Sequence, residues 1–132
     1  MLGELVYEAK GKVASERVLQ LDPPKIETSY TLESKLKGIA VSEVGTYTSV
    51  MRADGTMLGE DKAIMMADDG SMTTATAKGI GRLTGPDKIS FRGFATVGPA
   101  GTGKLTAVNS LLIAIEVELN GQDLTIKGWE WK

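Results

Sequence analysis

Residues 67–97 read ADDGSMTTATAKGIGRLTGPDKISFRGFATV, a strand, a turn, a strand, a turn and a strand. Asp68-Asp69-Gly70 marks the first turn and Thr84-Gly85-Pro86-Asp87 the second. Asp, Gly and Pro supply the backbone angles and local hydrogen bonds that turns require. Between them, Met72 to Leu83 is rich in Thr and small residues and has no helical period. After the second turn, Ile89, Phe91, Gly93, Ala95 and Val97 fall on one face, and Lys88, Ser90 and Arg92 on the other. A period of two with one apolar face is the mark of a strand wetted on one side.

Working outward, the same unit recurs. Leu5, Tyr7, Ala9, Gly11 and Val13 alternate with Glu4, Glu8, Lys10 and Lys12, and a bulge would carry this strand on to Gln20. Asp22-Pro23-Pro24 ends it, because proline has no N–H for the ladder. Ile26, Thr28, Tyr30, Leu32, Ser34 and Leu36 then oppose Lys25, Glu27, Ser29, Thr31, Glu33 and Lys35, up to the break at Gly38. A third strand reaches about Arg52 and includes Tyr47 and Val50, and Ala53-Asp54-Gly55 is a tight hairpin signal. The next strand spans Thr56 to Ala67. Toward the C-terminus, Leu105, Ala107, Asn109, Leu111, Ile113, Ile115, Val117 and Leu119 share one face, with Glu116 and Glu118 opposite. From Leu105 to Leu112 a short helix fits as well, through Leu105, Val108 and Leu112. Asn120-Gly121 is a hairpin turn, and Asp123 to Trp131 is the last strand.

The expected fold is therefore all-β, with about eight antiparallel strands and no crossover helix. The 132 residues form a single domain, 1–132. A meander of this length must hide its edges, and closure into an up-and-down barrel does so, a β-sandwich being the competing architecture. Closure would pair Leu5–Val13 with Leu124–Trp131. An eight-stranded barrel is packed inside or holds one small ligand.

Composition excludes more than it assigns. The formal charge is −2 with no basic stripe, which argues against a general nucleic-acid partner. There is no Cys and no His, so disulfides, thiol chemistry and the usual zinc ligands are out of reach. No metal and no cofactor is expected. The N-terminus lacks the basic start and apolar run of a signal peptide, and no segment is apolar over membrane-spanning length. A cytoplasmic protein without a membrane partner is the expectation.

Gly98–Lys104 (GPAGTGK) matches most of a phosphate-binding P-loop, but Leu105 stands where the magnesium-binding Ser or Thr belongs, and the parallel sheet is missing. It reads as a flexible glycine loop. Gly79-Ile80-Gly81 has no helix after it and is no dinucleotide fingerprint. Asp54, Asp68 and Asp69 are turn residues. Glu60 and Asp61 are adjacent in a strand, so one points to each face. Met51, Met57, Met65, Met66 and Met72 cluster on or beside one hairpin, as core filling or as the lining of a cavity. Tyr7, Tyr30 and Tyr47 fall on the apolar or small-residue faces of their strands, and Asn109 on a long apolar one, where, if buried, it needs a backbone or ligand partner. Trp129 and Trp131 share a face with Lys127, opposite Leu124 and Ile126: they pack outside, or a bulge flips the strand. The ligand-binding candidates are Tyr30, Tyr47, Asn109, Met57 and Met65, around a small hydrophobic molecule.

Gly45–Ser49 (GTYTS), Arg52–Glu60 (RADGTMLGE), Gly79–Arg82 (GIGR), Phe91–Gly93 (FRG), Gly103–Leu105 (GKL) and the closing Lys127–Lys132 (KGWEWK) together resemble a family of small prokaryotic proteins. That family is itself similar to the allene oxide cyclase-like, calycin-type barrels. The resemblance implies an eight-stranded antiparallel barrel with a central cavity, often a homo-oligomer. Allene oxide cyclases isomerise a fatty-acid epoxide in such a cavity, so an isomerase or cyclase is the alternative to a binding protein, and a ligand-free assembly protein the third reading. No stretch matches the cyclases' catalytic residues, and none is carried over.

Overall fold

The computed structural model describes Leu2–Lys132. Eight strands run in chain order: β1 (Leu2–Leu21), β2 (Pro24–Leu36), β3 (Ile39–Met51), β4 (Met57–Ala67), β5 (Met72–Gly85), β6 (Lys88–Val97), β7 (Leu112–Asn120) and β8 (Asp123–Trp131). Each pairs antiparallel with the next, and β8 returns to β1, so the sheet is a closed barrel. The expected up-and-down barrel is the one observed, and the sandwich is not.

Short turns set the register. Asp54 Oδ1 accepts from the Thr56 N–H at 3.0 Å, and Asp69 Oδ1 from the Ser71 N–H at 2.9 Å. In both turns the following glycine, Gly55 or Gly70, takes a positive φ. An Asp side chain thus replaces the missing ladder partner while the glycine makes the left-handed step. At the seam, Gly11 faces Leu124, Tyr7 faces Gly128 and Leu5 faces Trp129. Lys12 and Asp123 close it with a 2.8 Å ion pair. Past the Val13 N–H, which donates to the Gln122 carbonyl, β1 leaves the seam and pairs with β2 alone, through two register shifts.

The two ends of the barrel differ. Near the β2–β3 and β4–β5 turns, the connection between β6 and β7 folds inward as a 3₁₀ helix, Gly103–Val108. Leu105 and Val108 are fully buried there, with Leu111 just beyond. These three are spaced by three residues, the period of a 3₁₀ helix. They plug the end against Leu36, Val41, Ala67 and Val97. Each fully buried aliphatic side chain contributes about 1.5–3 kcal/mol. Of the two readings of Leu105–Leu112, the short helix is the one observed over Gly103–Val108, and the strand-face reading of Ala107 and Asn109 is corrected. Both are exposed, because the barrel end needs a plug more than β7 needs three further residues.

The opposite end, ringed by the turns after β1, β3, β5 and β7, carries no such plug. Trp129 is half-buried and Trp131 exposed on the outer face, where Trp131 meets Phe94 edge-on at 6.0 Å. No bulge flips them inward. The methionines divide: Met57 and Met65 are buried, while Met51, Met66 and Met72 are exposed. Among the described residues no helix is long and apolar enough to cross a membrane.

Candidate functional site

The inner faces of β2, β3 and β4 carry the polar groups of the interior. Register places Thr28 beside Tyr47 and Tyr47 beside Asp61; nearer the plug, Leu32 lies beside Glu43 and Glu43 beside Met65. Strand alternation therefore puts Glu43 and Asp61 inside at different depths, and Glu60 outside.

Tyr30 reaches across β3 because Gly45, its partner in register, has no side chain. A Cβ on Gly45 would collide with the Tyr30 hydroxyl. The hydroxyl instead donates to Asp61 Oδ1 at 2.7 Å. Phe91 lies over Gly81 in the same way: a Cβ there would come within 2.5 Å of its ring. Tyr30, Tyr47 and Phe91 then form an aromatic chain with centroids 6.0 Å apart at each step, tilted by 41° and 69°.

These rings line a cavity of about 70 Å³ together with Ile115, Val117, Leu124 and Ile126 on one side and Gly59, Ala77, Gly79 and Gly93 on the other, with Glu60, Asp61 and Lys78 on its border. A second cavity of about 40 Å³ lies deeper, lined by Tyr7, Glu43, Ala63, Met65 and Ile113. Tyr30 and Asp61 border both.

The electrostatics follow from burial without a counter-ion. Every Arg and Lys of the described residues is exposed except Lys25, which is half-buried. Burial pushes the Asp61 carboxyl up to about 6, although the Tyr30 hydroxyl and the Lys62 N–H pull it down. Glu43, only 3% exposed, is also raised by burial, against hydrogen bonds from Tyr7 and Ser34. The Ser34 hydroxyl donates to Glu43 Oε1 at 2.9 Å, and Tyr7 donates to the same oxygen. Tyr7 is held well above its ordinary range by burial and then by Glu43, and Tyr30 by burial and then by Asp61. Burial also raises Tyr47, against a hydrogen bond with Thr28. The phenols are therefore donors at any ordinary pH, while Asp61 exchanges its proton near neutrality.

Of the ligand candidates read from the sequence, Tyr30 and Tyr47 meet at the first cavity, and Met65 lines the second. Met57 is buried one rung nearer the open end, opposite Gly81, and lines neither. Asn109 stands outside, at the plugged end, where its Oδ1 accepts from the Gly101 N–H at 2.8 Å. Its partner is backbone. Glu43 was not among the candidates, yet it is in phase with Val41 and Tyr47, and that alternation is the signal that marks it as inward. No group of His, Cys, Asp and Glu among the described residues is arranged to hold a metal.

No protein-family model matches the chain, and no curated protein matches it. Among the solved structures that share its fold are two proteins of unknown function. A protein with unknown function from Clostridium acetobutylicum ATCC 824 superposes with a TM-score of 0.81 at 13% identity, over 96% of both chains. A conserved protein of unknown function from Rhodopseudomonas palustris gives 0.78 at 14% identity, over 98% of this chain and 97% of that one. At these identities the likeness is one of fold: a small closed β-barrel of the kind described above.

Proposed function

We propose that the protein is a small-molecule-binding barrel that takes a small, largely apolar ligand at its open end. The observation that supports it most is the apolar cavity of about 70 Å³ walled by Tyr30, Tyr47, Phe91 and the aliphatic side chains of β7 and β8. A convergent polar pair, Asp61 with Tyr30, gives such a pocket its orientation. The volume suits a molecule of a few heavy atoms rather than a long acyl chain. The closed meander supports the resemblance to the allene oxide cyclase-like barrels, with a shorter ligand. Association of copies belongs to the same proposal: Leu5, Trp129, Ala114 and Phe94 stand in one cross-strand row on the outer face.

Xenon tests the cavity without regard to charge, since dry apolar cavities take it up. Under xenon pressure, methyl resonances of Ile115, Val117, Leu124 and Ile126 should shift, and Ala77→Leu, which fills the lining from β5, should abolish the shifts. Unmoved methyls would remove this reading.

A second reading, an isomerase or cyclase, has one observation in its favour: Asp61 near pKa 6, hydrogen-bonded to Tyr30 on the cavity border, can act as a proton-transferring pair near neutral pH. Catalysed exchange of the α-protons of a small ketone in D₂O, lost in Asp61→Asn, would support it. An exchange rate equal to that of buffer sinks it.

A further inference from the structure

Resting on the cavity reading above, we propose that the ligand is a small organic cation, an amine or ammonium with a short apolar body, held by the Asp61 carboxylate and the rings of Tyr30, Tyr47 and Phe91. Three observations meet here. First, Asp61 and Glu43 are inward carboxyl groups, while among the described residues every Lys and Arg is exposed except the half-buried Lys25; Lys78, on the border of the cavity, is itself exposed and stands opposite Glu60, and Lys37 is paired with Glu130. Burial of a charge is costly unless it is paired or neutralised by a proton, so a bound cation favours the ionised Asp61 in place of that proton. Second, Glu43 is occupied by Tyr7 and Ser34, whereas Asp61 has one side-chain donor, Tyr30, and stands half-buried on the border of the cavity. Asp61 is therefore the carboxylate a ligand can reach. Third, the three rings that line the cavity are tilted rather than stacked. Aromatic faces beside a carboxylate attract an ammonium through the ring quadrupole, most strongly where water is excluded. The same two carboxylates repel an anion. A fatty acid or other carboxylate is the ligand class this interior disfavours.

Three probes of matched length decide it: butylammonium, 1-butanol and butyrate, each titrated into the protein at pH 7 and followed by NMR at Tyr30, Tyr47, Asp61 and Phe91. Butylammonium should bind about tenfold or more tighter than 1-butanol, as a charge-assisted contact does over a neutral one, and butyrate should not bind. In Asp61→Asn the preference for the amine should vanish. Because the wild-type comparison needs no variant, a poorly folded Asp61→Asn leaves the test intact. Equal or tighter binding of 1-butanol, with xenon still entering, overturns the cationic ligand and leaves the cavity reading standing. Silence toward all three probes and toward xenon overturns both.

Discussion

The Tyr30 hydroxyl, 2.7 Å from Asp61 Oδ1, bridges β2 and β4 over the glycine that separates them on β3. This bond opposes the desolvation of Asp61. Tyr30→Phe keeps the ring and removes the donor, so the Asp61 pKa should rise further above about 6. Carboxyl ¹³C titration measures it directly. An unchanged midpoint would mean that the bond does not form in solution.

The Asp61 contribution to stability should fall as pH rises through the same window. The folded Asp61 binds its proton more tightly than the unfolded one, from an ordinary value of 3.8 up to about 6. Between those values the native state holds more protons, so protonation favours folding, and the advantage is lost as pH climbs. At 1.36 kcal/mol per unit the loss is about 2–3 kcal/mol. Urea unfolding of the wild type and Asp61→Asn across pH 3.5–7 isolates this decline, since Asp54, Asp68 and Asp69, held below their ordinary range by hydrogen bonds, act in the opposite sense in both proteins. A difference between the two profiles that does not decline with pH contradicts the assignment.

Gly81 and Phe91 should be coupled. Gly81→Ala places a methyl 2.5 Å from the Phe91 ring and forces it to shift, at a cost of about 1–3 kcal/mol. In a Phe91→Ala background the same change should cost little. A double-mutant cycle by thermal melting tests this, and additive effects would show that the ring moves freely.

The seam between β1 and β8 should be indispensable on one side only. Deleting Gly128–Lys132 removes the partners of Tyr7, Leu5 and Leu2 and reopens a long edge. That chain should be unfolded or insoluble. Loss of Met1–Gly3 should be tolerated, because the seam from Leu5 to Lys12 survives it. An unaltered melting temperature in the C-terminal truncation would show that closure is not needed for stability.

The outer apolar face around Phe94, where Trp131 packs beside the row, should govern association. Phe94 is 50% and Trp131 45% exposed, and the rings meet edge-on. Phe94→Lys with Trp131→Lys should lower the sedimentation mass of any oligomer to that of one chain, without changing the circular dichroism. A parent protein that already sediments as one chain at every concentration removes the proposal of assembly.

Alternation along each strand and the Asp-Gly, Pro-Asp and Asn-Gly turns determined the eight strands, their order and the pairing of Leu5–Val13 with β8. These are local patterns of period two and of turn chemistry, which a chain carries in its residue order. The same alternation sent Tyr30, Tyr47 and Phe91 inward. It left Leu105 to Leu112 open between a strand and a short helix, and the closed barrel decided for a helix over Gly103–Val108, because the demand for a plug arises only once the barrel has an open end. Asn109 went outside with that plug. Nor could it say that Tyr30 of β2 would meet Asp61 of β4, two strands away across Gly45. That contact depends on strand stagger and on the space a glycine leaves, both properties of the closed sheet. The perturbed carboxyls have the same origin: Glu43 and Asp61 are ordinary acids in sequence, and only the surrounding barrel removes the water that would otherwise keep their pKa values low.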